Sequence, residues 1–586
     1  MDASLWRRFQ LFWSSDVAPL KAETISVSMN VFMENLSWLR DVWAPAGGWY
    51  EIEPALLENA RKFRTGADAF KKLKLADPTR HAGKTIDVPG LSPSRNLTPE
   101  QNSCILYLLD MQNGANFSVP GSGKTLVSLC VWQILRSANS VAKMLVVAPK
   151  SAFEAWESEV RDSFNGAFKT ELYSGNIFDE NTQLGIVNYE QLENADRLSY
   201  LTSWVSANSA CLVVDEAHRI KAGRGSVRWS AVKRLSEAGQ RTDILTGTPM
   251  PQGPKDLVGL FGASWPKLTK TELDERTLPL LRRNTVFVRT TKGELHLPPA
   301  NLVQIAQEPS YLQRQILDAL RDQYGGASFL SIADARNLAK RGKAVMSLMA
   351  AATNPGLLSA QSTFSHFELG FTWPPRAISM DAELTRLIDE YTLHEIPWKF
   401  EYAAMRVEEL FRSGEKTLIW SNFIGNLGAL KTVLHKFNPA VVYGNVSQEE
   451  RVRELHKFRT DPSCSVLLSN PQTLGEGVSL HQVCHTEIFI DRTFNAGLYL
   501  QAVDRIHRLG LEPDQVTTIE FLSTRGTIDE RIASRLSSKI ASLSSFLQDS
   551  DLAITSIPTG DELAPDEVLG LTDEDFSDIA EYWTKL

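Results

Sequence analysis

Cysteine is scarce in this chain and nowhere paired. Cys104, Cys130, Cys211, Cys464 and Cys484 are scattered over 586 residues with no CxxC spacing, which excludes a disulfide framework and fits a reducing, intracellular compartment. A long apolar run is missing as well. The stretch from Phe9 to Leu20 behind Arg7 and Arg8 is broken by Gln10, Ser14, Ser15 and Asp16, so it reads neither as a signal peptide nor as a membrane span. Low-complexity tracts are absent, and 43% apolar with 22% charged residues sets the chain apart from disordered sequences. Basic charge is not in excess, since the formal net charge is −9. That excludes a uniformly basic nucleic-acid binder but not a local basic cleft. Much of the acidity sits in one tail (Asp549, Asp551, Asp561, Glu562, Asp566, Glu567, Asp573, Glu574 and Asp575), expected to be solvated. His481, Cys484 and His485 offer three ligands in five residues without a second cluster, so no structural zinc is expected.

What the chain does have is length for more than one core. Residues 1–95 are rich in tryptophan (Trp6, Trp13, Trp38, Trp43, Trp49) and read as an N-terminal accessory domain. Asp87 to Thr98, with two prolines and several serines and threonines, reads as a linker. Over residues 96–290, short β-branched runs (Met144 to Ala148, Gly185 to Asn188, Cys211 to Val214, Thr242 to Thr246) alternate with helical patterns. Such alternation predicts βαβ units and a parallel sheet whose carboxyl edge binds ligands. Residues 291–394 change to helical patterns, notably Tyr311 to Tyr324 and Ile332 to Ala352. The alternation resumes over 395–547 with Thr417 to Trp420, Val441 to Tyr443, Ser465 to Leu468, Glu487 to Ile490 and Val516 to Phe521, ahead of the 548–586 acidic tail. The expected fold is therefore α/β, two parallel-sheet lobes flanking a helical insert.

Two motifs carry chemistry. Ser118-Val-Pro-Gly-Ser-Gly-Lys-Thr125 lies between an apolar stretch and a helical pattern from Leu126 to Leu135. Gly121, Ser122 and Gly123 let backbone amides approach phosphates, Lys124 reaches the β and γ oxygens, and the Thr125 hydroxyl suits magnesium. Ser118 stands where such loops usually begin with glycine. Cys211-Leu-Val-Val-Asp-Glu-Ala-His218 delivers Asp215 and Glu216 to a sheet edge. There Asp215 suits magnesium and Glu216 the attacking water. Either motif alone has a bland reading as a turn or a helix cap. Both in this order point to ATP and Mg2+.

Further segments resemble the Swi/Snf-type ATPases of helicase superfamily two. They are Leu97-Thr-Pro-Glu-Gln101, Leu145 to Trp156, Asp215-Glu-Ala-His-Arg-Ile-Lys221, Leu245 to Gln252, Leu281-Arg-Arg283, Leu297-Pro-Pro299, Asn354-Pro-Gly-Leu-Leu358, Lys416 to Phe423, Leu467 to Leu480 and Gln501 to Gly510. The resemblance covers roughly residues 97 to 535 and implies two RecA-like lobes. It implies adenine contact by Gln101 and nucleotide contact by Gly477. An arginine finger, Arg508 with Arg505 beside it, would be supplied when the lobes close. Coupling is implied for Thr246, Gly247, Thr248 and Gln501, and phosphate contacts for Pro149, Lys150, Asn188, Tyr189, Arg219, Lys221, Ser421 and Asn422. Three departures stand out: Asn354 is not followed by the family's histidine, the loop before Gly477 is longer and carries Glu476, and Leu511 replaces a common glutamine.

The resemblance implies a DNA-stimulated ATPase that translocates on double-stranded DNA with protein partners that direct it, and no membrane association. A strand-separating or annealing helicase and a DNA-bound scaffold with weak ATPase are the competing expectations. No nuclease, methyltransferase or chromatin-reading motif accompanies it. The compact size leans towards a bacterial or phage source and the cytoplasm; a eukaryotic source would place the protein in the nucleus.

Overall fold

The computed structural model describes residues 66–324, 345–359 and 382–549, apart from 224, 269–271, 299, 445, 475–477, 509 and 513, with a few isolated positions outside these ranges. Lobe one is built from helix α1 (Pro99–Leu109), strand β1 (Gly114–Asn116), α2 (Lys124–Ser137), β2 (Met144–Val147), α3 (Phe153–Phe164), β3 (Thr170–Leu172), β4 (Leu184–Val187), α4 (Ala195–Ala207), β5 (Cys211–Asp215), α5 (Val227–Ala238), β6 (Arg241–Leu245) and α6 (Lys255–Ser264). Its six strands pair in the order β1-β6-β5-β2-β4-β3, all parallel. The β-branched and leucine runs of β2, β4 and β5 are buried, as strands covered by helices on both faces require.

Lobe two follows a helical stretch that includes α7 (Tyr311–Tyr324) and α8 (Ala382–His394). It consists of α9 (Trp398–Arg412), β8 (Thr417–Trp420), α10 (Ile424–Val433), β9 (Ala440–Val442), α11 (Gln448–Thr460), β10 (Val466–Ser469), β11 (Thr486–Phe489), α12 (Ala496–Val503), β12 (Thr517–Thr524) and α13 (Ile528–Leu547). The sixth strand comes from elsewhere: β7 (Ala300–Gln307) lies at the edge of the order β9-β10-β8-β11-β12-β7, paired in parallel with all eight residues of β12. Part of the expected helical insert therefore belongs to the second sheet.

The linker between the lobes is bound at both ends. Before β7, its first residues run beside β1, with Val288 donating to the Ala115 carbonyl and Phe117 to that of Val288, each at 2.8 Å. Within about a dozen residues the chain passes from the edge of one sheet to the edge of the other.

Three segments near the expected boundaries pack onto lobe one. Residues 66–95 are not separate from lobe one: Phe70 is fully buried against Phe261 and Trp265, and the Tyr107 hydroxyl donates to Pro78. The expected linker from Asp87 to Thr98 is pinned as well, since Ser92 donates to the Ser163 carbonyl and Gln133 to that of Pro89. Asp549, expected to be solvated in the tail, is buried in an ion pair with Arg289, because the end of α13 folds back onto lobe one. Trp6, Trp13, Trp38 and Trp49 lie outside the described residues, as does nearly all of the tail beyond Asp549. Among the described residues no helix is long and apolar enough to cross a membrane.

Candidate nucleotide site between the lobes

The loop from Ser118 to Thr125 leaves β1 and opens α2. Gly121 and Gly123 hold φ values of +82° and +84°, a left-handed backbone that favours glycine. A Cβ on Gly123 would strike the Gln101 amide. Gly123 also caps α2 without a side-chain bond, so the first amides of that helix face outward, an arrangement suited to phosphate. Ser118 plays a structural part, its hydroxyl accepting from the Thr290 amide at 2.9 Å. Gln101 is tied twice, accepting from the Thr98 amide at 3.1 Å and donating to the Ser122 carbonyl at 3.2 Å. It thus braces the loop from α1.

Across from the loop, β5 delivers its carboxylates. Trp156 Nε1 donates to Asp215 Oδ2 at 2.9 Å, and the Glu216 amide donates to Oδ1 at the same distance. Burial pushes the Asp215 carboxyl up, opposed by the Trp156 hydrogen bond and the charge of Lys124. Glu216 takes φ +52°, strained for a residue with a side chain at about 1–3 kcal/mol. Burial lowers the Lys124 pKa, opposed by the charges of Glu216, Asp215 and, from lobe two, Asp504. Its ammonium meanwhile donates to the Ser118 carbonyl at 2.9 Å. Thr125 stands in the first turn of the same helix. The Thr125 hydroxyl and Asp215 carboxylate are hard oxygen donors, a set that fits magnesium.

His218 is buried, and burial with the charges of Arg219 and Lys221 depresses its pKa well below the ordinary imidazole. Its Nδ1 lies 3.7 Å from the Glu216 carboxylate. Neither ring nitrogen has a hydrogen-bond partner among the described residues, and the same holds for Ser122 Oγ, Thr248 Oγ1 and Gln501 Oε1. Thr246 accepts from the Thr248 amide at 3.2 Å, and the Gly247 carbonyl accepts from Arg289 at 3.1 Å.

The two arginines of the 501–510 segment differ. Arg505 donates to the Val478 carbonyl at 3.2 Å and accepts the Leu480 amide through its own carbonyl at 2.9 Å, tying its segment to the loop before it. Arg508 is half-buried and makes no hydrogen bond or ion pair with the described residues. Gly477 and Glu476 lie outside the described residues.

The expected phosphate contacts divide. Lys150 is exposed at the carboxyl end of β2, beside the buried Pro149. Asn188 accepts from the Gln191 amide at 2.8 Å, and Tyr189 is fully buried, its hydroxyl donating to the Asp215 carbonyl at 2.5 Å. Arg219 lies over the Tyr189 ring at 5.3 Å, and both Arg219 and Lys221 are largely buried. Ser421 and Asn422 both bind the buried Asp491, at 2.5 Å from the hydroxyl and at 2.8 Å from both the amide and the side-chain nitrogen of Asn422. Ser421, Asn422 and Tyr189 thus bond within their own lobes, to Asp491 and to the Asp215 carbonyl.

Sequence reasoning passed over Arg289 and Lys292 in favour of Arg282 and Arg283. Arg282 is exposed and Arg283 pairs with Glu294 at 2.5 Å, whereas Lys292 is buried against Asp504 at 2.7 Å and donates to the His507 carbonyl at 2.7 Å. The available signal was a pair of charges at the end of an apolar run, Val286-Phe-Val-Arg-Thr-Thr-Lys292. At His481, Cys484 and His485, the Cys484 thiol faces the Lys416 and Thr486 carbonyls, and no group of three metal ligands occurs among the described residues.

Comparison with known proteins agrees with the motifs. Residues 97–273 match the model of the SNF2-related domain, and residues 402–510 that of the helicase conserved C-terminal domain. Similar curated proteins include the ATP-dependent helicase fft1 of Schizosaccharomyces pombe, 23% identical over 76% of this chain and 52% of its own length. The ATP-dependent helicase FUN30 of Saccharomyces cerevisiae is 24% identical over 78% of this chain and 47% of its own. The chain thus spans about half the length of these relatives. Among solved structures, a Sulfolobus solfataricus SWI2/SNF2 ATPase core in complex with dsDNA is 18% identical, covers 85% of this chain and 99% of its own, and has a TM-score of 0.34.

Proposed function

We propose that this chain, an SNF2-related protein with a helicase conserved C-terminal domain, is a motor that hydrolyses ATP between its lobes and translocates on double-stranded DNA without separating the strands. The observation that carries the reading is geometric: Lys124, Asp215 and Glu216 stand on lobe one, and the 501–510 segment of lobe two is tied to the chain leaving lobe one by the buried Lys292–Asp504 pair at 2.7 Å and the Lys292 bond to the His507 carbonyl.

In this reading the amides at the start of α2 and Lys124 bind the phosphates, and Gln101 holds the loop in shape. Thr125 and Asp215 would hold magnesium, which, when bound, neutralises phosphate charge. Trp156 keeps Asp215 oriented towards it. Glu216 orients and accepts a proton from the attacking water, with His218 Nδ1 3.7 Å from its carboxylate. Arg508 meets the γ-phosphate only when the lobes close, a contribution typically of about 10³ to 10⁵ in rate. Closure driven by ATP and opening by products then moves one lobe's grip relative to the other. Lys150 contributes to the grip on lobe one by touching phosphates, which position without reading sequence. Protein partners direct the motor to its targets.

The test is steady-state ATP hydrolysis without nucleic acid and with single-stranded DNA, duplex DNA or duplex RNA. Stimulation chiefly by duplex DNA, together with displacement of a triplex strand, is the expected result. Stimulation chiefly by single strands would replace this reading with a strand-separating helicase, and absent turnover with a scaffold.

A further inference from the structure

Arg289 follows the stretch that runs beside β1, and its guanidinium joins three parts of the molecule. Nε and Nη2 donate to Asp549 Oδ2 at 2.8 and 2.5 Å, and both side chains of this ion pair are 0% exposed. Nη1 donates to the Phe117 carbonyl and, at 3.1 Å, to that of Gly247. Phe117 leads directly into the phosphate loop at Ser118, and Gly247 is the centre of the Thr246–Thr248 turn.

Asp549 arrives from the other lobe. The start of α13 is rooted in lobe two, where Asp529 accepts from Lys399 at 2.7 Å and from the Thr524 amide at 2.8 Å. Further along, Lys539 donates to the Phe494 carbonyl at 3.0 Å. Twenty helical residues reach about 30 Å, enough to cross to lobe one. There Phe546 packs against Phe287 and Phe117, with ring centroids 5.0 and 6.3 Å away. Gln548 then turns the chain through φ +53°.

We propose that Asp549 is a positioning residue for the nucleotide site. Through Arg289 it sets the two backbone carbonyls that carry the phosphate loop and the 246–248 turn, and α13 makes that setting depend on where lobe two stands. A buried guanidinium deprived of its carboxylate is left with uncompensated charge, so Arg289 cannot keep all three partners without Asp549. The inference rests on the ATPase reading above and adds to it a route by which lobe two acts on lobe one away from Arg508.

The experiment compares full-length Asp549→Asn, Asp549→Glu and Phe546→Leu. Lobe separation is read by energy transfer between dyes on Arg234→Cys and Arg453→Cys, two exposed positions in a chain whose native cysteines are all buried. Asp549→Asn should lower duplex-stimulated kcat by about ten- to a hundredfold, with KM for ATP and affinity for a fluorescent ADP within about twofold. It should also blunt the ATP-dependent change in energy transfer. Asp549→Glu should recover most of both, and Phe546→Leu, which loosens packing but keeps the charge, should lose little kcat. Equal losses in Asp549→Asn and Phe546→Leu, or an unchanged kcat and transfer in Asp549→Asn, would overturn the proposal. If Asp549→Asn does not fold by circular dichroism, the remaining two variants decide: Glu falling below Leu in kcat overturns it, Glu matching wild type upholds it. If the wild type shows no turnover, the ATPase reading fails by itself, and the energy-transfer change in Asp549→Asn still decides the positioning role.

Discussion

Arg505 and Arg508 share one segment but differ in their surroundings. Arg505 is tied to Val478 and Leu480, whereas Arg508 has no bond among the described residues that closure would need to break. Arg508→Ala should therefore retain nucleotide binding and lose duplex-stimulated turnover by about 10³-fold or more, read by single-turnover hydrolysis beside a binding titration. Full turnover in that variant would remove Arg508 from the mechanism. Lys124, Asp215, Glu216 and Arg508 could be proposed from the sequence because each sits in a motif whose spacing is local. Arg289 and Lys292 were not, because what makes them important is Asp549 and Asp504, each more than two hundred residues away. The sequence does mark Ser421, Asn422 and Tyr189 as polar, but nothing in it says that Asp491 and the Asp215 carbonyl have already claimed them.

At the scale of elements, buried strands with an apolar run, such as β2, β4, β5 and β8, were legible, whereas buried β1, three residues long, shows no such run. β7 was not legible, because at an edge its residues are half-buried or exposed and lack the apolar run of a central strand. Within the loop ahead of α2, Gly123→Ala would force a side chain onto a left-handed backbone and into Gln101. Nucleotide affinity should fall at least about tenfold, one pKa-unit equivalent of free energy, while far-ultraviolet circular dichroism stays unchanged; equal affinity would mean the loop tolerates a Cβ. On β11, Glu487 is buried and accepts from Trp420 at 2.9 Å. Burial, reinforced by the charge of Asp504, pushes its pKa up to about 8 against the opposing effects of Trp420, Lys292 and Arg505. The folded chain then holds a proton that the unfolded chain releases near pH 4.5. Stability is accordingly lost as pH rises from that value towards about 8 and levels off above it. Glu487→Gln mimics the protonated form, so its melting temperature should exceed that of the wild type most at about pH 8.5 and converge with it near about pH 5. A difference independent of pH would show that Glu487 ionises normally.

For the whole molecule, a net charge of −9 means that, in the proposed reading, the hold on DNA rests on a local patch of basic charge. Duplex stimulation should therefore weaken steeply with salt, the logarithm of affinity falling by about 0.9 per phosphate contact. Lys150→Ala should reduce that slope by about one contact without altering sequence preference, read from duplex titrations at several salt concentrations; an unchanged slope would place the grip elsewhere. The two-lobed plan was legible from the recurrence of βαβ patterns. That residues 66–95 are part of lobe one, and that α13 spans both lobes, depends on Phe70 and Phe546 finding distant partners.

The parallel pairing of β7 with β12 also orders the birth of the protein. On the ribosome, every strand of lobe one has been synthesised by residue 245, and its sheet can close early. Residues 300–307, by contrast, wait for a partner at 517–524, roughly two hundred residues of synthesis at about 5–20 residues per second. For about ten seconds or more an unpaired edge is open to pairing with a neighbouring nascent chain. Ribosome-stalled chains halted before residue 517 are thus the form of this protein most in need of a chaperone.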